Sequence, residues 1–497
     1  MTRDPERWFR PRAGADVTRR ALRGGAVSLV AQAVRGVVEG SATLVLARTL
    51  LPAQFGLIDM IVSATGIIDL FKDFGLSSAT IQRDEINHAQ VSLLFWINAG
   101  IGFLLMLAIM ALAPLLVFVY HRPELLDLAL VLSLTTLLGA LSVQHMALLR
   151  RDLQFGAVAF VDTTAAVVSS GAAVYVAMRG HGPWALVTRQ IARYATQTLL
   201  SWILCSWRPS RPRRTNVREL LRFGSDVSAA QLVNYLERNV DNVLIARFVG
   251  PQALGLYNKA YGLMRIPIDQ INALSNIAIP ALSRMLGDSE RYRQAYRSVA
   301  SIALLCTVPI APVSIYAADW FIPALLGEQW RGSVPAFQWL AVSLLVRPLM
   351  NSVGWLWMSQ GRSREVRRWA MIGGGIAIAS FAIGLPWGAT GVAMSFAIAE
   401  VCVRAPINVY LAGSSGPVRV RDALASALPA WTCALAIALA FPLFSALLGD
   451  LGAAPRTLLS ALGAMTVGVG VVLATPWSRH MLRDGRAMLR RMRTADA

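Results

Sequence analysis

Two lysines, four cysteines and five histidines are all that this chain of 497 residues carries of the side chains on which much soluble enzyme chemistry is built. The lysines, Lys72 and Lys259, stand outside any GxxxxGK[ST] pattern, which excludes an ATP-binding P-loop. HExxH and GxSxG are absent, and no Cys/His cluster has the spacing of metal ligands. Cys205, Cys306, Cys402 and Cys433 fall within or at the edge of apolar stretches without CxxC spacing, so they read as packing residues rather than disulfides or metal ligands. Charge is scarce as well, at 15% of residues. The longest loop expected on the outer side, AADWFIPALLGEQWRGSV, is short for the ordered domain that chemistry on a membrane lipid needs. No enzyme and no cofactor are expected.

What the chain has is apolar length. It is 55% hydrophobic with a mean hydropathy of +0.52, more than a soluble domain needs for its core. Since roughly 20 apolar residues cross a bilayer, fourteen candidate spans follow. They lie near 24–49, 55–78, 91–119, 125–148, 155–178, 183–206, 220–248, 255–282, 298–320, 334–359, 368–388, 390–412, 423–448 and 456–475. The expected fold class is an all-α integral membrane protein.

A net charge of +19 raises the question of nucleic acid, and its distribution answers it. About 31 arginines fall on one side of the predicted spans and about 6 on the other. That asymmetry predicts an even number of spans with both termini cytoplasmic. The basic loops then face anionic headgroups of membrane lipids, and no aromatic residues interleave with them as a nucleic-acid platform requires. The leading MTRDPERWFRPRAGADVTRRALRG lacks the short apolar region and small-residue cleavage site of a signal peptide and reads as a cytoplasmic lead-in.

The chain repeats itself. AQAVRGVVEGSATLVLARTLLPAQFGL at 31–57 and AQLVNYLERNVDNVLIARFVGPQALGL at 230–256 share eight of 27 residues, including Pro52 with Pro251 and Gly56 with Gly255. Six spans separate the two copies, so both enter the membrane from the same side, and two parallel six-helix lobes are expected, an architecture of transporters. The predicted divisions are a basic segment 1–23, an N-lobe 24–206, a Pro- and Arg-rich linker 207–219, a C-lobe 220–412, two extra C-terminal helices over 413–475 and a basic tail 476–497.

Charges inside the predicted spans are the candidate functional residues, because intramembrane charges usually face water or a partner. Arg35 and Glu39 stand four apart on one helical face, where they can pair locally. Asp59, Asp69, Lys72 and Asp73 mark the second span; Asp226, Glu237, Arg238 and Asp241 the seventh; Lys259, Arg265 and Asp269 the eighth. His145, Asp162, Arg189, Arg193, Arg347, Glu400 and Arg404 lie elsewhere, and His145 reads as a packing histidine. The repeat maps Glu39 onto Arg238, which suggests a pair that holds one gate shut. Arg35, Glu39, Lys72, Glu237, Arg238, Asp241, Lys259 and Arg265 are the candidates for a cavity whose guanidiniums would hold phosphate oxygens and whose acids would take sugar hydroxyls. A proton- or sodium-coupled exporter of small molecules, with the acids binding the ion, and a non-transporting scaffold stay open.

LARTLLPAQFGLIDM (46–60), DFGLSSATIQRDEINHAQVSLLFWIN (73–98), ALLRRDLQFGAVAFVD (147–162), GHGPWALVTRQ (180–190), RNVDNVLIARFVGPQALGLYNKAYGLMRIP (238–267) and LLGEQWRGSVPAFQWLA (325–341) resemble the Wzx-type flippases. These form the polysaccharide-transport branch of the multidrug/oligosaccharidyl-lipid/polysaccharide (MOP) exporter superfamily. The resemblance runs over most of the first 410 residues. It implies a MOP/MATE-like fold of two lobes around a cationic cavity, in the bacterial inner membrane. It further implies a substrate, an undecaprenyl-diphosphate-linked oligosaccharide bound for exopolysaccharide, lipopolysaccharide or capsule, with polymerase and export machinery as partners. Related flippases of lipid-linked precursors hold the diphosphate with cavity arginines on the first, second and eighth helices, and the matching candidates by location are Arg35, Lys72, Lys259 and Arg265 here, with Arg238 and Asp241 in the seventh.

Overall fold

The structure, a computed structural model, describes residues 8–9, 15–73, 75–83, 85–212, 235 and 239–475. All regular structure among the described residues is helical. The first part comprises α1 (Ala15–Thr49), α2 (Pro52–Leu70), α3 (Leu76–Gln82), α4 (His88–Tyr120), α5 (Leu125–Arg151), α6 (Phe155–Met178), α7 (Trp184–Leu204) and a helical stretch α8 over 239–248. There follow α9 (Pro251–Ser283), α10 (Ser289–Thr307), α11 (Ile310–Leu326), α12 (Val334–Ser343), α13 (Arg347–Ser359), α14 (Ser363–Gly384), α15 (Gly388–Ala399), α16 (Ala405–Gly413), α17 (Val420–Leu447) and α18 (Ala453–Ala474). The chain divides into two compact units, Met1–Gly255 and Leu256–Ala497.

Eight of the described helical stretches are long and apolar enough to cross a bilayer, and up to nine if the bent pair α12 and α13 counts as one span. With no water in the bilayer core, backbone polar groups must be satisfied within the segment, and only the helix does this for a lone span. The stripe Leu435, Leu439, Leu443 and Leu447 on α17 is exposed at every fourth residue, as a lipid-facing surface requires. Helices α7 and α9 are not among those that pass on apolarity, and they are rich in polar side chains.

Several predicted spans are broken where the sequence reading runs them straight. The second divides into α2 and α3 around Gly75, whose φ of 65° suits glycine. Asp73, counted among the membrane charges, caps α3: its carboxylate accepts from the Ser77 N–H at 2.9 Å and from the Ser77 hydroxyl. Arg151 donates to the carbonyls of Thr80, at 2.9 Å, and Arg83, closing the other end of α3. The ninth begins earlier than predicted, at an Asp288 cap, and is interrupted at Val308–Pro309, where proline lacks a donor. The tenth bends by 43° between α12 and α13. In the twelfth, a π-helical turn spans Glu400–Arg404. The predicted seventh span and the linker from residue 213 lie largely outside the described residues.

In the first unit α4 packs on α5, α6 on α1 and α7, and α5 on α7. His145 is fully buried and stacks on Trp202 at 4.4 Å, beside Phe95 and Trp207, in keeping with a packing role. In the second unit α17 packs on α10, α11 and α18, and Tyr292, Tyr296, Trp355 and Trp357 fill the core. The Tyr292 hydroxyl is 2.6 Å from Ser359 Oγ and the Tyr296 hydroxyl 3.1 Å from Ser352 Oγ, so both buried phenols are satisfied.

The repeat has a structural meaning. Pro52 and Pro251 open α2 and α9, a position where the missing N–H would be unpaired in any residue. One turn on, a Cβ built on Gly56 would lie 1.7 Å from the Pro251 carbonyl oxygen, and one on Gly255 2.0 Å from the Pro52 carbonyl oxygen. The two copies of the motif therefore meet, backbone to backbone, in a reciprocal contact that admits no side chain. Gly56→Ala or Gly255→Ala should each lower the stability of the purified protein by at least about 1–3 kcal/mol, the usual cost of overpacking. Gly171→Ala, with nothing within 4 Å of the added carbon, should not. Thermal unfolding in detergent checks this, and equal midpoints for Gly56→Ala and Gly171→Ala would refute the contact.

Candidate functional site

Charge in the first unit gathers where α1, α6 and α7 meet. Arg35, Glu39 and Thr43 recur every fourth residue on α1, and Arg189 and Arg193 do the same on α7, so each helix presents a ladder. Arg35 Nη1 reaches Asp162 Oδ2 on α6 at 3.5 Å, and Arg193 Nη1 reaches Glu39 Oε1 at 3.0 Å. Arg189 Nη1 donates to Thr43 Oγ1 at 3.4 Å, and that hydroxyl in turn donates to the Glu39 carbonyl at 2.7 Å. Beside Arg193, the Lys72 ammonium lies 4.4 Å from the Tyr194 ring centroid and against Gly139 of α5.

Arg35 and Glu39 thus pair with other helices rather than with each other, contrary to the local pair expected from their spacing. An i,i+4 pair gains a few tenths of a kcal/mol, whereas α6 and α7 bring whole charges of opposite sign that would otherwise be left in an apolar bundle. Among the described residues of the cluster, three guanidiniums, Arg35, Arg189 and Arg193, meet two carboxylates, Glu39 and Asp162. Its ion pairs keep between a quarter and under a half of their side-chain surface open. Such a surplus of guanidinium donors, partly desolvated, is suited to an anion with several oxygens.

The other candidates are placed separately. Lys259 lies over Trp330 at 5.7 Å from the ring centroid. Arg265 pairs with Asp269 one turn along α9 at 3.2 Å, both about half exposed. Asp241 is buried, and its Oδ1 accepts from the Asn242 N–H at 2.9 Å. Glu237 and Arg238 lie outside the described residues, and with them the suggested Glu39 to Arg238 gate.

The second unit contains a charged group that the sequence reading names without a role. Glu400, at 2% exposure, takes Arg347 Nε on one oxygen at 3.0 Å and Arg404 Nη1 on the other at 2.6 Å. Phe396 underlies both guanidiniums, at 5.1 and 5.9 Å from its ring centroid. The π turn carries Glu400 and Arg404, and the bend between α12 and α13 places Arg347 beside them. Asp162, Arg189, Arg193 and Arg347 could be singled out only by their charge, because their partners are distant in the chain, whereas Glu400 and Arg404 stand one turn apart.

The two groups should respond differently to loss of a carboxylate. Glu400→Gln strands two guanidiniums in a closed site and should cost about 3–5 kcal/mol. Glu39→Gln, in a pair still open to solvent, should cost no more than about 1 kcal/mol. Thermal unfolding of both variants in the same detergent tests the order, and a larger loss for Glu39→Gln would overturn it.

Comparison with known proteins fits this geometry. The chain is 28% identical over 326 residues to the lipopolysaccharide biosynthesis protein WzxC of Escherichia coli (strain K12), covering 64% of this chain and 65% of that protein. It is 28% identical over 301 residues to the teichuronic acid biosynthesis protein TuaB of Bacillus subtilis (strain 168), covering 60% and 62%. The chain thus spans just under two thirds of the length of these two relatives. Among solved structures it is similar to the lipid II flippase MurJ in an inward closed conformation, with a TM-score of 0.70 at 13% identity over 92% of this chain and 99% of that one. It is also similar to an inward-facing multidrug resistance MATE family transporter of the MOP superfamily, with a TM-score of 0.58 at 15% identity over 77% and 96%. The fold is therefore the all-helical MOP fold, in a multi-pass membrane protein. The family model described as "Polysaccharide biosynthesis protein" matches residues 45–335, more than half of the chain, and the chain belongs to that family.

Proposed function

We propose that this protein is a flippase that carries an undecaprenyl-diphosphate-linked oligosaccharide across the bacterial inner membrane by alternating access, for the assembly of exopolysaccharide, lipopolysaccharide or capsule. The observation that carries the reading is the cluster on α1, α6 and α7, where three guanidiniums stand against two carboxylates. An intramembrane charge costs about 2.5–3.5 kcal/mol on insertion scales, so a guanidinium in excess of the carboxylates calls for an anionic occupant or for water. A diphosphate supplies the charge. Glu39 and Asp162 each hold one arginine, which limits how tightly the anion binds and allows its release.

The relatives' names point the same way: they serve lipopolysaccharide, teichuronic acid and, in the Rhizobium meliloti protein ExoT, succinoglycan biosynthesis transport. A transporter needs no reacting group and no cofactor. A proton or sodium gradient would drive the cycle, with membrane lipids as surroundings and the polymerase and export machinery as partners. The arginine asymmetry supports a cytoplasmic position for both termini.

The test is movement of a labelled undecaprenyl-diphosphate oligosaccharide into the protected leaflet of proteoliposomes. Each of Arg35→Ala and Arg193→Ala should lower the rate about tenfold or more, the value of one charge-assisted hydrogen bond of at least about 1.5 kcal/mol. A wild type that leaves this lipid in place, yet exports a small organic cation when a proton or sodium gradient is applied, would replace the reading with that of a multidrug-type exporter.

A further inference from the structure

The charge cluster accounts for the first unit, but a second polar surface lies on α9. Asn258, Tyr261, Arg265, Asp269, Asn272 and Asn276 recur at intervals of three and four residues and so form one strip. Between Asn258 and Asn276 the strip runs about 27 Å at 1.5 Å per residue, close to the full thickness of a hydrocarbon core. Arg265, Asp269, Asn272 and Asn276 are exposed. Ala260, Met264, Ile268, Ile271 and Ala278 on the other face are buried in the second unit. Ile266 and Ile277, flanking the strip, are 59% and 66% exposed and suited to lipid.

The middle of the strip, from Arg265 to Asn272, is bonded. Arg265 Nε donates to Asp269 Oδ1 at 3.3 Å, Asn272 Nδ2 to the same oxygen at 3.4 Å, and Asn351 Nδ2 of α13 to Asn272 Oδ1 at 3.5 Å. Long bonds of this kind fix side-chain direction without using up an amide's two donors and two lone pairs. Its charge sums to zero, Arg265 against Asp269, unlike the cluster on α1, α6 and α7. Amides and a carboxylate left open on a transmembrane helix cannot face acyl chains. What suits a long, neutral row of paired donors and acceptors is an uncharged chain of hydroxyls rather than a diphosphate.

We infer that this strip, with Asn351, is a track for the saccharide portion of the lipid-linked substrate; the inference rests on the flippase reading. Arg265, expected from sequence to hold phosphate, is on this view a positioning residue that orients Asp269. Asn272 and Asn276 bond sugar hydroxyls as the oligosaccharide passes.

The experiment compares two substrates in proteoliposomes, undecaprenyl diphosphate bearing a single sugar and the same lipid bearing the whole oligosaccharide. For Asn272→Ala with Asn276→Ala, flux of the oligosaccharide lipid should fall at least fivefold more than that of the single-sugar lipid. Asn272→Ser, which keeps a hydroxyl donor and acceptor, should recover part of that ratio. Arg193→Ala should lower both fluxes in equal proportion. If the wild type moves both lipids and the asparagine variants lower them equally or not at all, the track is refuted while the flippase stands. If the wild type moves neither lipid, the flippase reading falls and the track with it.

Discussion

A charge placed among acyl chains must find an opposite charge, a dipole or water, and that demand organises this molecule. It explains why arginines on α1 and α7 reach across to carboxylates on other helices instead of pointing outward. It also explains why Glu400 serves two guanidiniums at once in a site closed to solvent. Leucine-rich helices such as α4 and α17 form the apolar frame, and in the first unit the polar α7 packs on α5 and α6.

The polar systems differ in openness, and openness separates their roles. Around Glu400 the ion pairs are buried and stacked on Phe396, an arrangement that fixes the bend at Arg347 against the π turn. On α1, α6 and α7 the pairs keep part of their surface free and leave cations in excess. The α9 strip is more open again and electrically neutral. Buried pairing holds shape, whereas the two more open systems leave donors and acceptors exposed.

Much of the helical layout could be read from apolar runs alone, because a bilayer imposes a length of about 20 residues that chain composition displays directly. The breaks could not. Pro309 and Gly75 are ordinary in a membrane sequence, and only packing shows that they end a helix. Charge was equally easy to locate and hard to pair: Asp162 lies 127 residues from Arg35, and Glu39 lies 154 from Arg193. Periodicity brought Arg35 and Glu39 to one face and so suggested a local bond, but it carried no information about what α6 and α7 would offer. Among the described residues eight or nine helical stretches are apolar enough to qualify, and charged helices such as α7 and α9 fall short on composition.

Duplication ordinarily frees one copy of a segment to drift. Gly56 and Gly255 are denied that freedom, for the space beside each is occupied by the proline carbonyl of the other copy. A larger residue in either motif is resisted by its twin, so each repeat acts as a template against which the other is checked. Elsewhere the sequences of the copies have parted: Arg35 stands against Asn234, and Glu39 against Arg238. The ancestry of the chain remains readable at the two points where its halves of the repeat press on one another.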